Sequence, residues 1–226
     1  MAVRLPGAIV MRAAERGRSG SDGVDSRRCF AFDDVYDAGN VRFGSLVAVN
    51  DDRLAAGAGY GMHTHAGVTI VTWVVHGRLA HADSGGHVGV TGPGVVQIFG
   101  TGAGSSHSER SAADTDCRFI QSWILDAGES AYFEQTDVTA RMRGSGIVPV
   151  VELPGARMLA GVLRAGEQAF IPTAPLAHVF VAVGSVTVAD VGELFEGDSA
   201  RLTGATAVAV TAESGGADVL VWLLDD

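Results

Sequence analysis

Lysine is absent from this 226-residue chain, and all 16 of its basic residues are arginine. They stand against 26 Asp and Glu, for a formal net charge of −10. Residues 1–120 hold 11 Arg against 12 acidic residues, and residues 121–226 hold 5 against 14. Neither part has the basic stripe that holds a phosphate backbone, which argues against direct nucleic-acid binding and for a small-molecule partner. Cysteine is scarce too. Cys29 and Cys117 are too few for a disulfide framework and read as reduced, buried thiols. No apolar run reaches the ~18 residues of a membrane-spanning helix. The run from Leu5 to Met11 contains Pro6 and Gly7 and precedes arginines, which is not a signal-peptide layout. The expected compartment is the cytoplasm.

A sustained helical period is also missing. What is present is 47% hydrophobic residues with only 19% charged, enough to bury a core. The 31 glycines have no collagen-like period and therefore signal many tight turns. Strand-like runs recur every 8–12 residues, as in an all-β barrel or sandwich. They are predicted at Cys29-Phe30-Ala31-Phe32, Phe43 to Val49, Val68 to Val75, Arg78 to Ala82, Val88 to Val90, Val95 to Phe99 and Cys117 to Leu125. Asn50-Asp51-Asp52, Asp83-Ser84-Gly85-Gly86 and Gly92-Pro93-Gly94 read as turns.

Residues 126–146 are polar, and Thr136 to Gly146 reads as a connection. Beyond it the strand pattern returns at Met158 to Leu163, Gln168 to Ile171, Ala177 to Val183, Ser185 to Val188, Ala207 to Val210 and Val219 to Leu224. The reading is a duplicated β-barrel whose second copy has lost its ligands, with domains at 1–135 and 136–226.

Six of the seven histidines fall between residues 63 and 107. His63-Thr64-His65 and His107-Ser108-Glu109 share one design. In a strand, residues i and i+2 face the same way, so each pair presents two ligand-type side chains on one face. Set side by side, His63, His65, His107 and Glu109 converge. Three imidazoles and a carboxylate suit a divalent transition ion: iron first, then nickel, copper, manganese or zinc. His81 beside Asp83 reads as a structural histidine or a lining residue. His76 and His87 read as solvated turn residues, and His178 as a core histidine. Gln97 is a candidate for the barrel interior, and the Arg12–Arg18 cluster is a solvated face. The glycine-rich run 100–104 is no phosphate cradle, because no helix follows it.

Several words of the chain carry a resemblance. They are Glu15-Arg16-Gly17, Phe30-Ala31-Phe32, Val49-Asn50-Asp51-Asp52, His63-Thr64-His65, the stretch from Gly77 through His81 and Asp83 to Ser84, and Gly104-Ser-Ser-His107-Ser108-Glu109. In order and spacing the first 125 residues or so resemble the pirin family of the cupin superfamily, above all bacterial members described as quercetin 2,3-dioxygenases. The resemblance implies a bicupin of two jelly-roll β-barrels, the second degenerate. It implies one mononuclear metal held by His63, His65, His107 and Glu109, with Glu109 also the catalytic carboxylate. It implies a dioxygenase using a flavonol or similar aromatic enol and dioxygen. The alternative is a non-enzymatic, redox-sensing regulator that binds protein partners. The chain departs from the general cupin pattern at Thr69, where a glutamate is usual, and from the residues usual among the family's members at Ala66, Arg28 and Arg110.

Overall fold

The run Val68-Thr-Ile-Val-Thr-Trp-Val-Val-His76 is nearly continuous in β-branched residues, which fit a pleated, crowded surface. It forms the strand Val68–His76, buried from Val68 to Val74, and the first barrel-like unit is assembled around it. The computed structural model describes residues 3–31, 36–112, 114–144 and 146–225. Their regular secondary structure is almost all strand, with one α-helical turn at Thr139–Met142 and two 3₁₀ turns. No helix is long and apolar enough to cross a membrane. The all-β class expected from the sequence is what forms.

The chain divides into two compact units. One comprises residues 17–42 and 46–138. It has a seven-stranded antiparallel sheet in the order Tyr132–Asp137, Val95–Gly100, Val68–His76, Cys117–Leu125, Leu46–Leu54, Val24–Arg28, Gly17–Ser19. Its second sheet has four strands, in the order Gly59–His65, Ser105–Ser111, Leu79–Asp83, Val88–Thr91. Leu54, Val74, Leu79, Cys117 and Phe119 form one apolar cluster of this unit, and Val68, Ile70 and Phe99 another.

The other unit holds residues 139–225 together with residues 43–45 and the described residues up to Arg16. Its nine-stranded sheet is built on two long strands, Ala174–Val188 and Val208–Leu224. The N-terminal strand Ala8–Met11 pairs with Ser199–Ala205, so the opening residues belong with the C-terminal part rather than with residues 17–135. The division falls between Val138 and Thr139.

Three local expectations change. Asn50-Asp51-Asp52 is not a turn, because Leu46–Leu54 runs straight through it, paired on both sides. Asp51 is tolerated there because Arg118 Nε donates to it at 2.9 Å and Arg53 Nη1 lies 3.2 Å away. The early strand is Val24–Arg28, whose polar Asp-Ser-Arg-Arg run hides it, and Cys29 and Phe30 are buried bends just after it. Phe32 lies outside the described residues. Finally, the strand Tyr132–Asp137 includes Thr136 and Asp137, so the connection is shorter than residues 136–146.

Candidate metal centre

Alternation along Gly59–His65 sends His63 and His65 to one face and Thr64 to the other, where Thr64 Oγ1 meets Ser106 Oγ at 2.7 Å. The neighbouring strand Ser105–Ser111 alternates in step: Ser105, His107, Glu109 and Ser111 are buried. His107 lies opposite His63, and Ser105 opposite His65. The register then slips between His107 and Glu109, so that Glu109 faces Tyr60. Such a bulge re-aims side chains at a sheet edge. Gly59 permits the close approach, since a Cβ there would collide with the Glu109 carbonyl oxygen.

The three rings are neighbours: centroids lie 4.8 Å apart for His63–His65, 4.5 Å for His63–His107 and 5.2 Å for His65–His107. One ligand nitrogen from each lies within 4.8 Å of the other two. His63 Nδ1 sits 2.7 Å from the Gly61 carbonyl oxygen. A carbonyl only accepts, so Nδ1 carries the hydrogen and Nε2 the lone pair. His65 Nε2 and both ring nitrogens of His107 are buried without a partner in the protein. Burial holds His107 down to about 3 and His65 down to about 4, with the neighbouring imidazoles adding to both. Both rings are therefore neutral at pH 7, the form in which histidine binds metals.

Glu109 is 1% exposed. Gln121 Nε2, from the opposing seven-stranded sheet, donates to both of its oxygens, at 3.1 and 2.9 Å. Trp123 Nε1 donates to Gln121 Oε1 at 2.9 Å, which fixes the amide so that its NH₂ faces the carboxylate. Burial first, and the nearby Asp52 carboxyl after it, push Glu109 up to about 7; the Gln121 hydrogen bond acts the other way. Trp123 also packs its ring edge-on to His65, at 4.6 Å, and Phe99 stacks on His107 at 4.9 Å.

A second triad shares His107. His81, His107 and Glu109, all buried, bring their ligand atoms within 4.8 Å of one another. Among the described residues, His63, His65 and His107 thus form one group, and Glu109 is grouped with His81 and the same His107. His81 belongs to this interior, while His76 is exposed and His87 about half exposed, as their turn positions suggested. Gln97 is buried and accepts from Thr91 Oγ1 at 2.7 Å. Thr69, the position of the usual cupin glutamate, neighbours Ile70 on the alternate face. Its Oγ1 donates to Asp126 Oδ2 at 2.7 Å and lies 3.3 Å from Tyr132 Oη.

Orphaned buried imidazole nitrogens in a native interior call for an explanation, and a cation is the partner that neutral imidazoles and a carboxyl share. The residues therefore fit a divalent transition ion.

Residues 10–124 match the Pirin family model. A Mycobacterium tuberculosis protein, provisionally named a quercetin 2,3-dioxygenase, is 36% identical over 228 residues, covering 94% of this chain and 93% of its own length. The chain belongs to the pirin family. Over 127 residues, 55% of each chain, this family member is 35% identical to the Escherichia coli K12 protein named quercetin 2,3-dioxygenase. The bacterial pirin YhhW of Escherichia coli, solved in complex with nickel(II), superposes with a TM-score of 0.87 at 26% identity, over 96% of this chain and 99% of that one. A quercetin 2,3-dioxygenase structure from Acinetobacter baumannii shares the fold, with a TM-score of 0.75 at 18% identity, over 97% of this chain and 80% of that one.

Proposed function

We propose that His63, His65, His107 and Glu109 hold one divalent transition ion, iron first among the candidates, and that the centre cleaves a flavonol such as quercetin with dioxygen. The observation that carries this reading is the set of buried, partnerless nitrogens on His65 and His107 beside a buried carboxyl. It is supported by the nickel in the YhhW structure and by the quercetin 2,3-dioxygenase name of the Escherichia coli relative.

When bound, the ion supplies Lewis acidity that lowers the pKa of a hydroxyl beside it. The protein does the rest. Glu109 takes the hydroxyl proton of the substrate: the O–H bond breaks, its electron pair stays on oxygen, and the proton goes to the carboxylate. Gln121 holds that carboxylate in place through both oxygens, and Trp123 holds Gln121. Phe99 and Trp123 pack against His107 and His65 and hold those imidazoles in place. The resulting enolate is electron-rich at the carbons that dioxygen oxidises. Flavonol and dioxygen then balance as a depside and carbon monoxide.

The test is turnover. Protein stripped of metal is loaded separately with iron(II), nickel, copper, manganese and zinc, then given quercetin in aerated buffer. One carbon monoxide is expected for each quercetin consumed with at least one ion, and failure with all five overturns the activity. His63→Ala and Glu109→Ala should each lower metal occupancy, and unchanged occupancy in both overturns the ligand assignment.

A further inference from the structure

The inner triad has a structure of its own. His81 lies on Leu79–Asp83, opposite Glu109, and is 1% exposed. Its Nε2 lies 3.2 Å from Asp83 Oδ2. Asp83 is held in turn by the His87 backbone N–H, which donates to Oδ1 at 3.1 Å, and by His87 Nδ1 at 3.1 Å from Oδ2. A carboxylate only accepts, so His81 carries its hydrogen on Nε2 and its lone pair on Nδ1. That Nδ1 is buried and has no partner. A histidine whose far nitrogen is tied to a carboxylate, and whose near nitrogen is bare, is the arrangement that outer-shell carboxylates impose on metal-binding imidazoles. Phe133 stacks on the His81 ring at 4.6 Å, which fixes its plane.

We infer that the centre has a second, inner cation position formed by His81 Nδ1, His107 and Glu109, overlapping the outer position proposed above, in which His63 and His65 join the same His107 and Glu109. This deepens the metal reading above and rests on it. The two positions share His107, and a neutral imidazole has a single lone pair, so His107 serves one ion at a time. Two dications this close, with one carboxylate between them, also repel strongly. Occupancy is therefore one ion per chain, in either of two places. The outer position has three imidazoles beside the carboxylate and the inner one only two, so the inner one is the better suited to a harder ion such as manganese.

Cobalt(II) is the probe, titrated into metal-free protein and followed by its visible spectrum and by equilibrium dialysis. Wild type should bind one ion. The double variant His63→Ala, His65→Ala should still bind one, more weakly and with a changed spectrum, through the inner triad. Adding His81→Ala to it should abolish binding. If the folded double variant binds no cobalt, or the triple variant binds as well as the double, the inner position is wrong while the proposed function stands. If wild type binds none, both fall. Circular dichroism checks folding, and His63→Asn, His65→Asn gives the same readout where the alanine pair fails to fold.

Discussion

Gln121 Nε2 donates to both carboxylate oxygens of Glu109, across the gap between the two sheets of the site-bearing unit. The contact joins a residue of the seven-stranded sheet to the only carboxylate among the expected ligands. It works because Trp123 Nε1 occupies Gln121 Oε1 and leaves the amide nitrogen no other orientation.

Gln121→Leu should therefore weaken metal binding more than it weakens the fold. Outer-shell partners of this kind typically contribute 10–100-fold in metal affinity. Dialysis against a competing chelator would show a loss in that range. Gln121→Glu should be worse, because it sets a second carboxyl against Glu109. Affinity unchanged in both variants would mean that Gln121 does not position the ligand.

Metal uptake should release a proton near neutral pH, and Glu109 should be its source. His65 and His107 sit at about 4 and about 3 in the metal-free protein, so they bind as neutral rings and release nothing at pH 7. Glu109 sits at about 7 and is partly protonated there, and a bound dication ionises it. Release should approach one proton per ion below pH 7 and fade above it. Titration calorimetry in buffers of different ionisation enthalpy measures this, and Glu109→Gln should remove the release.

Much of the site-bearing unit can be read from residues that obey a single local rule. Cys117–Leu125 and Val68–His76 are dense in β-branched and aromatic residues, and the His-x-His and His-Ser-Glu words need only period two. What hides is set by distant partners. Asp51 and Asp52 look like a turn until Arg118, 67 residues away, neutralises Asp51 inside a sheet. Ala8–Met11 joins the C-terminal unit through Ser199–Ala205, a pairing no local pattern announces. Ala174–Val188 reads as two strands because bulges at 181/183 and 184/186 interrupt its alternation. Gln121 left one readable trace: a lone amide on the same face as Phe119 and Trp123 asks what it binds.

His178 makes the C-terminal unit acid-sensitive. It is fully buried on Ala174–Val188, and burial first, then the Arg201 charge, hold it down to about 3. The unfolded chain binds its proton near 6.5, the native one only near 3. Between those values the unfolded state holds more protons, so stability rises with pH across this window and is fully present above about 6.5. The loss between those two values is on the order of 5 kcal/mol for this group alone. Urea titrations from pH 7 to 4 should show that slope, and His178→Phe should flatten it.

Thr69→Glu tests the departure from the usual cupin pattern. If the missing glutamate were a lost ligand, restoring it would raise metal occupancy. Thr69, however, is 1% exposed and hydrogen-bonded to Asp126 and Tyr132, on the strand face opposite to Ile70. A glutamate there buries a second carboxyl beside that of Asp126. Metal content should stay unchanged, and stability should fall by about 1–3 kcal/mol, read as a lower melting temperature. Higher metal occupancy in Thr69→Glu would show that the strand turns this position toward the histidines. An apolar replacement, Thr69→Val, should cost about 1–2 kcal/mol through the lost Asp126 hydrogen bond alone, which separates the missing hydrogen bond from the added charge.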